Sequence, residues 1–548
     1  MAKCRVLIST LLSGLLLVSH VQASGVADAL MDIQERLHLE QDGRDIIPGS
    51  TIYEPMLVDA FYQARDYQPA WTDKDYAREM LQLLKSSEDE GLNPADYHYD
   101  ELLDLQEKYQ KAWSGKDGLH AQAEVLLTDG ILLYAKHLQQ GKVDPRTLDD
   151  TWNYAQLYLD PDKVAKQLAA AIAGKQVAQV IETIKPKWDF YVLMKQDFER
   201  YRKLAGNETF SVLPEDVVLH PGDKHANVVL LRQRLQQLSY MEAGEANSEQ
   251  FDDQLKQAVQ QLQSDYYLEA DGIVGKQSYQ ILNLSFSDKV DKLRINMDRL
   301  RWMGEQESDD FILVNIASYE LYYMRDRKLE WTTPVMVGKI RSKTPMFQAR
   351  LRYMEFNPTW NTPRSLINIA KFKSDPQYIV DKGYKFYDAN NNEVDPSSID
   401  WDKYTKRSFP YRVVQMPGPK NAMGQVKFIF PNSHAIYMHD TPSRDLFSRQ
   451  QRAFSAGCIR VKDPLTFARV LLDDQDKWSD DKIQSLVDSG KPKQVVRLDR
   501  DIDVMLMYWT VSPQLDNRLQ FQHDVYDLDP AALAILDAPP KPTAFVQR

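Results

Sequence analysis

Cys458 and His439 are the residues in this chain best suited to do chemistry, and they stand 19 residues apart in the stretch 436–461, IYMHDTPSRDLFSRQQRAFSAGCIRV. The only other cysteine, Cys4, falls in an apolar N-terminal leader, so Cys458 has no partner for an internal disulfide. An unpaired thiol in an exported protein is either an inert buried hydrophobe or a reactive group. Ser455-Ala456-Gly457 makes the approach to Cys458 small and flexible, so backbone N–H groups can come close to a reacting carbonyl. A histidine from a separate segment can take the thiol proton and hold the thiolate as half of an ion pair. In this chemistry Cys458 is the nucleophile, His439 the proton donor and acceptor, and the N–H groups of Gly457 and Cys458 the oxyanion hole. Tyr437, two residues before His439, shares its sheet face if 436–439 is a strand, where it either donates near the oxyanion or packs. Arg460, two residues after Cys458, either grips a substrate carboxylate in bidentate fashion or sits in an ordinary salt bridge. Ser455 joins Tyr437 and Arg460 as an expected substrate contact, while His434 and Asp440 read as loop and structural residues. The histidines are scattered and the cysteines unpaired, so nothing has metal-ligand spacing and no cofactor is expected.

His439, Ser455, Gly457, Cys458, Ile459 and Arg460 resemble the signature of the YkuD-type L,D-transpeptidases: a histidine, a short gap, then Ser/Thr-x-Gly-Cys-hydrophobic-Asn/Arg. Ala456 departs from it, standing where many members carry a second histidine. VGKIRSKTP, FNPTWNTPRSL, MPGPKNAMGQVKFIFPN and IYMHDTP also resemble blocks of that family and occur in its order. The resemblance implies that Cys458 takes the acyl group from the third residue of a tetrapeptide stem and expels D-alanine. An amine of a neighbouring stem then resolves the thioester as a 3→3 crosslink. It implies peptidoglycan stem peptides as partners, with other cell-wall synthesis proteins as candidates, and acylation by carbapenems. Two other readings stand beside it: an L,D-carboxypeptidase-type hydrolase, and a wall-binding scaffold with a silent thiol.

The elements that must position these residues follow from the rest of the chain. Residues 1–23 read as a cleaved export signal: Lys3 and Arg5, then an apolar run at 6–18, then Val21-Gln22-Ala23. Its removal takes the formal net charge from −12 to −14, and an acidic chain without basic blocks has no footprint for nucleic acid or anionic membrane. No later apolar run is long enough to span a bilayer, so the mature chain is expected to have no integral membrane segment, and the export signal with the family resemblance implies the periplasm. Its length exceeds one core and predicts several units, and 43% hydrophobic residues mark them as globular.

From 26 to 212 the apolar residues recur at helical spacing, as in Met56, Leu57, Ala60 and Phe61. Trp71, Trp113, Trp152 and Trp188 read as core, with sugar stacking as the alternative. GLNPADYH and HLQQGKVDP resemble the N-terminal domain of large Gram-negative L,D-transpeptidases. Residues 219–284 predict three helices, the last after Asp271-Gly272-Ile273-Val274-Gly275, and resemble the small peptidoglycan-binding module. After 305 the period shifts to alternation, predicting strands at 311–316, 320–324, 331–339, 351–356 and 427–430. The polar, turn-rich span 368–412 reads as an inserted lid or loop over a sheet edge. The fold class is therefore multidomain α+β, with a helical scaffold, a three-helix module and a mostly-β YkuD-type catalytic domain. The expected divisions are 1–23, 24–215 (scaffold), 216–286 (module), 287–310 (connecting helix), 311–500 (catalytic) and 501–548 (C-terminal segment).

Overall fold

Local signals start the scaffold helices. Asp73 accepts from the Asp75 and Tyr76 amides to cap Lys74–Lys85, and Asp160 caps Pro161–Ala173 in the same way. The computed structural model describes residues 25–543 except 38–43, 112–116, 155–157, 207–211, 243, 245–246, 267, 304–307, 473–476 and 514–517. The leader at 1–23 and Trp113 lie outside these residues. Trp71 and Trp152 are buried in the core, Trp152 stacked on Tyr154, and Trp188 meets Phe311 edge-on, so none of the three stands as an open stacking platform. The module behaves as read: helices Ala226–Gln237, Asp253–Asp265 and Lys276–Leu282 enclose a core of their own around Leu231, Leu235, Val259 and Leu282.

The connecting helix, Phe286–Arg301, opens with a capping box between Ser285 and Asp288. It is a buried strut rather than an exposed linker. Leu293, Met297 and Leu300 join one hydrophobic cluster that runs from scaffold residues such as Leu84 and Leu138 to sheet residues such as Ile312 and Leu506. Its polar face is buried as well. Arg301 donates to the Glu90 carbonyl at 2.6 Å, and Asp298 accepts from the Lys142 and Val143 amides at 2.7 and 3.0 Å. Arg299 pairs with Asp529 at 2.6 Å in the C-terminal segment. Each charge is paired or hydrogen-bonded, which is the condition for burying it.

The largest sheet has nine strands: β1 Phe311–Asn315, β2 Glu320–Arg325, β3 Lys328–Gly338, β4 Gln348–Phe356, β5 Val426–Ile429, β6 Met438–His439, β7 Ala453–Ser455, β8 Ile459–Val461 and β9 Gln494–Met507. The order is β7-β3-β8-β6-β5-β4-β9-β1-β2, and β3 pairs back onto β2, closing the sheet on itself. β3 can do so because its first half, Leu329 to Pro334, pairs with β2 while Val335 and Met336 pair with β8.

Two boundaries differ from the sequence reading. β9 runs to Met507 and pairs in parallel with β1 through residues 503–507, so an end at 500 cuts a central strand. The span 368–412 is no polar loop but part of a folded subdomain. Its strands Trp360–Asn361, Tyr384–Tyr387, Glu393–Val394 and Arg412–Gln415 form a separate sheet over Phe372, Phe386, Phe409 and Ile379. It leaves the nine-stranded sheet between Phe356 and Val426, which are register partners.

Candidate active site

Strand register builds the site. β6 lies parallel to β8, with Met438 opposite Ile459 and His439 opposite Arg460. On its other side it is antiparallel to β5, with Lys427 opposite His439, and β5 sets Lys427 opposite Glu355 on β4. Side chains alternate along a strand, so Glu355, Lys427, His439 and Arg460 form one row on one face. Tyr437, under the Lys427 ammonium, and Cys458, which feels the charges of Lys427 and Arg460, lie against this row. The Ile459 amide donates to the Tyr437 carbonyl at 2.9 Å, carrying the pairing up to them. Met438, Ile459 and Phe428 alternate to the opposite face and are fully buried there.

His439 is buried, and its Nδ1 lies 2.5 Å from the Asp440 carbonyl oxygen. A carbonyl can only accept, so Nδ1 carries the proton and Nε2 is left as the acceptor. Asp440 is held by its carboxylate, which accepts the Gln425 amide at 2.8 Å, and by its amide, which donates to the Val426 carbonyl at 3.0 Å. It is thus the structural residue that its sequence position suggested.

The half-buried Cys458 thiol donates to the Ala435 carbonyl at 3.8 Å, and the Tyr437 amide is aimed at the sulfur. Burial pushes the thiol above its ordinary range, with the Tyr437 amide, Lys427 and Arg460 opposing. Burial, then Arg460 and, more weakly, Lys427 push the imidazole down to about 3 against its bond to Asp440. Both shifts favour a neutral thiol and a neutral imidazole on this face. They work against the thiolate–imidazolium pair expected from sequence, and no hydrogen bond joins the two groups among the described residues.

The turn before Cys458 corrects two further expectations. Gly457 has φ +120, and its amide donates to the Ser455 hydroxyl at 3.0 Å, so it is not free to meet an oxyanion. Ser455 is 2% exposed and shapes the turn; its carbonyl accepts the Lys339 amide, so it is not a substrate contact. The Cys458 amide makes no hydrogen bond among the described residues and is the open donor next to the thiol. Arg460 has no carboxylate partner among the described residues, and its Nε is buried without an acceptor. The salt-bridge reading of Arg460 therefore does not hold.

Sequence reasoning missed Lys427. Its ammonium sits 3.5 Å above the Tyr437 ring centroid, and burial lowers its pKa. The signal was available in the alternation of β5, which puts Lys427 and Ile429 on the face opposite Phe428. Among the described residues no three His, Cys, Asp or Glu side chains converge as a metal site, and no helix is long and apolar enough to cross a membrane.

Comparison with known proteins gives three family matches. Residues 309–484 match an L,D-transpeptidase catalytic domain, 224–282 a "Putative peptidoglycan binding domain" and 56–197 a scaffold domain. A Haemophilus influenzae protein named "Putative L,D-transpeptidase" is 38% identical over 246 residues, covering 44% of this chain; the chain spans 49% of that relative's length. An L,D-transpeptidase from Stackebrandtia nassauensis is 12% identical, covering 54% of this chain and 97% of that one, at a TM-score of 0.22. One from Mycobacterium smegmatis is 11% identical, covering 36% and 58%, at 0.19. Overlaps this weak carry no argument for the site.

Proposed function

Because residues 309–484 place this chain in the YkuD family, we propose that it is a peptidoglycan L,D-transpeptidase that forms 3→3 crosslinks through a thioester on Cys458. The reading rests on one observation above the others: Cys458, His439 and the unpaired Arg460 share one face, beside the open Cys458 amide.

The steps follow from the residues. Cys458 attacks the carbonyl between the third and fourth residues of a tetrapeptide stem as its proton passes to His439 Nε2. The carbonyl oxygen takes the negative charge and is met by the Cys458 N–H. Collapse breaks the amide bond, and the departing D-alanine amine takes the proton back from His439. The amine of a second stem then attacks the thioester, gives its proton to His439 and restores the thiol. Arg460 and Lys427 supply the charge that holds donor carboxylates. A neutral resting pair suits this order, since the thiol is discharged only when a carbonyl is in place. The matched peptidoglycan-binding module would keep the catalytic sheet near the wall, and export by the leader at 1–23 would place it in the periplasm.

Mass spectrometry of purified tetrapeptide muropeptides incubated with the protein tests this. Dimers that have lost one D-alanine are expected from the wild type and none from Cys458→Ala. Dimers from Cys458→Ala at the wild-type rate would sink the reading, and tripeptide monomers alone would make the protein a hydrolase.

A further inference from the structure

The Gly457 carbonyl and the Cys458 amide are two ends of one planar trans peptide, so whatever fixes the oxygen also aims the N–H in the opposite direction. The oxygen is fixed. Thr344 Oγ1 donates to it at 2.7 Å and accepts the Gly338 amide at 2.8 Å, so the single hydroxyl proton is committed to Gly457. Thr344 is itself 2% exposed. Its own amide donates at 3.0 Å to the Tyr526 hydroxyl, which donates in turn to the Gly338 carbonyl at 2.6 Å.

Tyr526 lies beyond the residues matched by the catalytic family, in the segment after β9. Its ring stacks on Tyr508 at 5.4 Å, and its amide donates to the Tyr508 hydroxyl at 2.9 Å. That segment is tied to the connecting helix by the Asp529–Arg299 pair. From the scaffold side, the Asp149 carboxylate accepts the Met346 amide at 2.9 Å, holding the same 344–346 stretch.

We propose that Thr344 and Tyr526 are positioning residues that aim the Cys458 amide at the developing oxyanion, so that a segment outside the catalytic family completes the active site. The inference rests on the acyl-transfer reading above. It separates two properties of one residue: the direction of the Cys458 N–H depends on the Tyr526–Thr344–Gly457 relay, whereas the sulfur is held from the other side by Ala435 and Tyr437.

The test uses the full-length chain and two reactions of Cys458. Acyl transfer from a tetrapeptide donor needs an oxyanion hole; alkylation by iodoacetamide, followed at Cys458 by peptide mass, forms no oxyanion. Loss of an oxyanion donor lowers kcat by about 100-fold or more. Thr344→Val is expected to reach that size, and Tyr526→Phe, which loosens the relay one step back, about tenfold. KM and the alkylation rate should stay within about twofold, and Thr344→Ser, which keeps the hydroxyl, should restore most of kcat. Should Thr344→Val fail to fold, Tyr526→Phe carries the test, because its ring remains stacked. Wild-type kcat in the variants, a rise in KM alone, or equal losses of acylation and alkylation would overturn the inference. If the wild type itself leaves the donor intact, the acyl-transfer reading fails and takes this inference with it.

Discussion

Lys427 and His439 are register partners across β5 and β6, and the lysine ammonium lies 3.5 Å above the ring of Tyr437 on the same face. Opposite His439 on its other side stands Arg460. The imidazole is therefore buried between two cationic residues, and both oppose its protonation. The sign of this arrangement matters for Cys458, because two neighbouring cations disfavour an imidazolium as the resting partner of a thiolate.

The pH dependence of Cys458 reactivity follows. With His439 held at about 3 and the thiol raised above its ordinary value, the iodoacetamide rate should climb steadily through pH 9. A plateau between about pH 5 and 8 would reveal a preformed thiolate–imidazolium pair of the kind found in low-pKa cysteines, and would contradict this account.

Replacing Lys427 with methionine keeps most of the side-chain volume and removes the charge. Both the thiol and a donor carboxylate then lose a neighbouring cation. The expected loss in kcat/KM for acyl transfer is about tenfold, the equivalent of ~1.4 kcal/mol. The alkylation profile should also shift to higher pH. Unchanged kinetics in Lys427→Met would assign this lysine to packing on Tyr437 alone.

The parts of this site that the sequence made legible are those set by strand alternation. Tyr437, His439, Cys458 and Arg460 are spaced by two within their segments, and the pleat turns that spacing into a shared face. Hydrogen-bond directions in the nucleophile turn were not legible. A run of small residues leaves φ free, and the observed +120 at Gly457 turns its amide toward Ser455 instead of the reacting centre. β9 was missed because Arg497 and Asp499 to Asp501 interrupt its apolar pattern; these charges ride an irregularity between Arg497 and Ile502, where pairing to β4 shifts register. The inserted subdomain reads as a polar lid or loop because its core comes from single aromatics such as Phe372, Phe386 and Phe409, dispersed among charged residues in short elements. The connecting helix showed its Leu293–Met297–Leu300 face plainly, but period alone cannot tell that Asn296, Asp298, Arg299 and Arg301 are also buried.

Gly424 and Gly490 share a φ of +61, which makes them a matched pair of substitutions. A Cβ on Gly424 would lie 2.3 Å from the Asp440 carboxyl carbon, whereas one on Gly490 meets nothing within 4 Å. Alanine at either position carries the backbone strain of the left-handed region, about 1–2 kcal/mol. Only Gly424→Ala also displaces Asp440, whose carbonyl fixes the His439 tautomer. A lowered Tm in both variants, with kcat reduced about tenfold or more only in Gly424→Ala, is the expected result. Equal kcat values would mean that Asp440 does not orient the imidazole.

The scaffold contains a buried histidine, His98, whose sign is opposite to that of His439. His98 is 1% exposed, with Nε2 at 2.8 Å from Asp129 and Nδ1 at 2.7 Å from Glu101. Burial alone would lower its pKa, but the hydrogen bonds and charges of Asp129 and Glu101 outweigh that and raise it to about 9. Asp129 also accepts the Tyr53 and Glu54 amides, so the imidazolium holds the carboxylate that organises this corner. The folded chain keeps the proton over a range in which the unfolded chain, at its ordinary 6.5, has released it. The resulting stability is fully present below pH 6.5 and lost as pH rises through 9, with about 3 kcal/mol at stake for a shift of this size. Thermal melts of the wild type should therefore fall between pH 6 and 9.5. His98→Gln should melt lower at pH 6 and change less over that interval; parallel curves for the two proteins would show that His98 is not the titrating group.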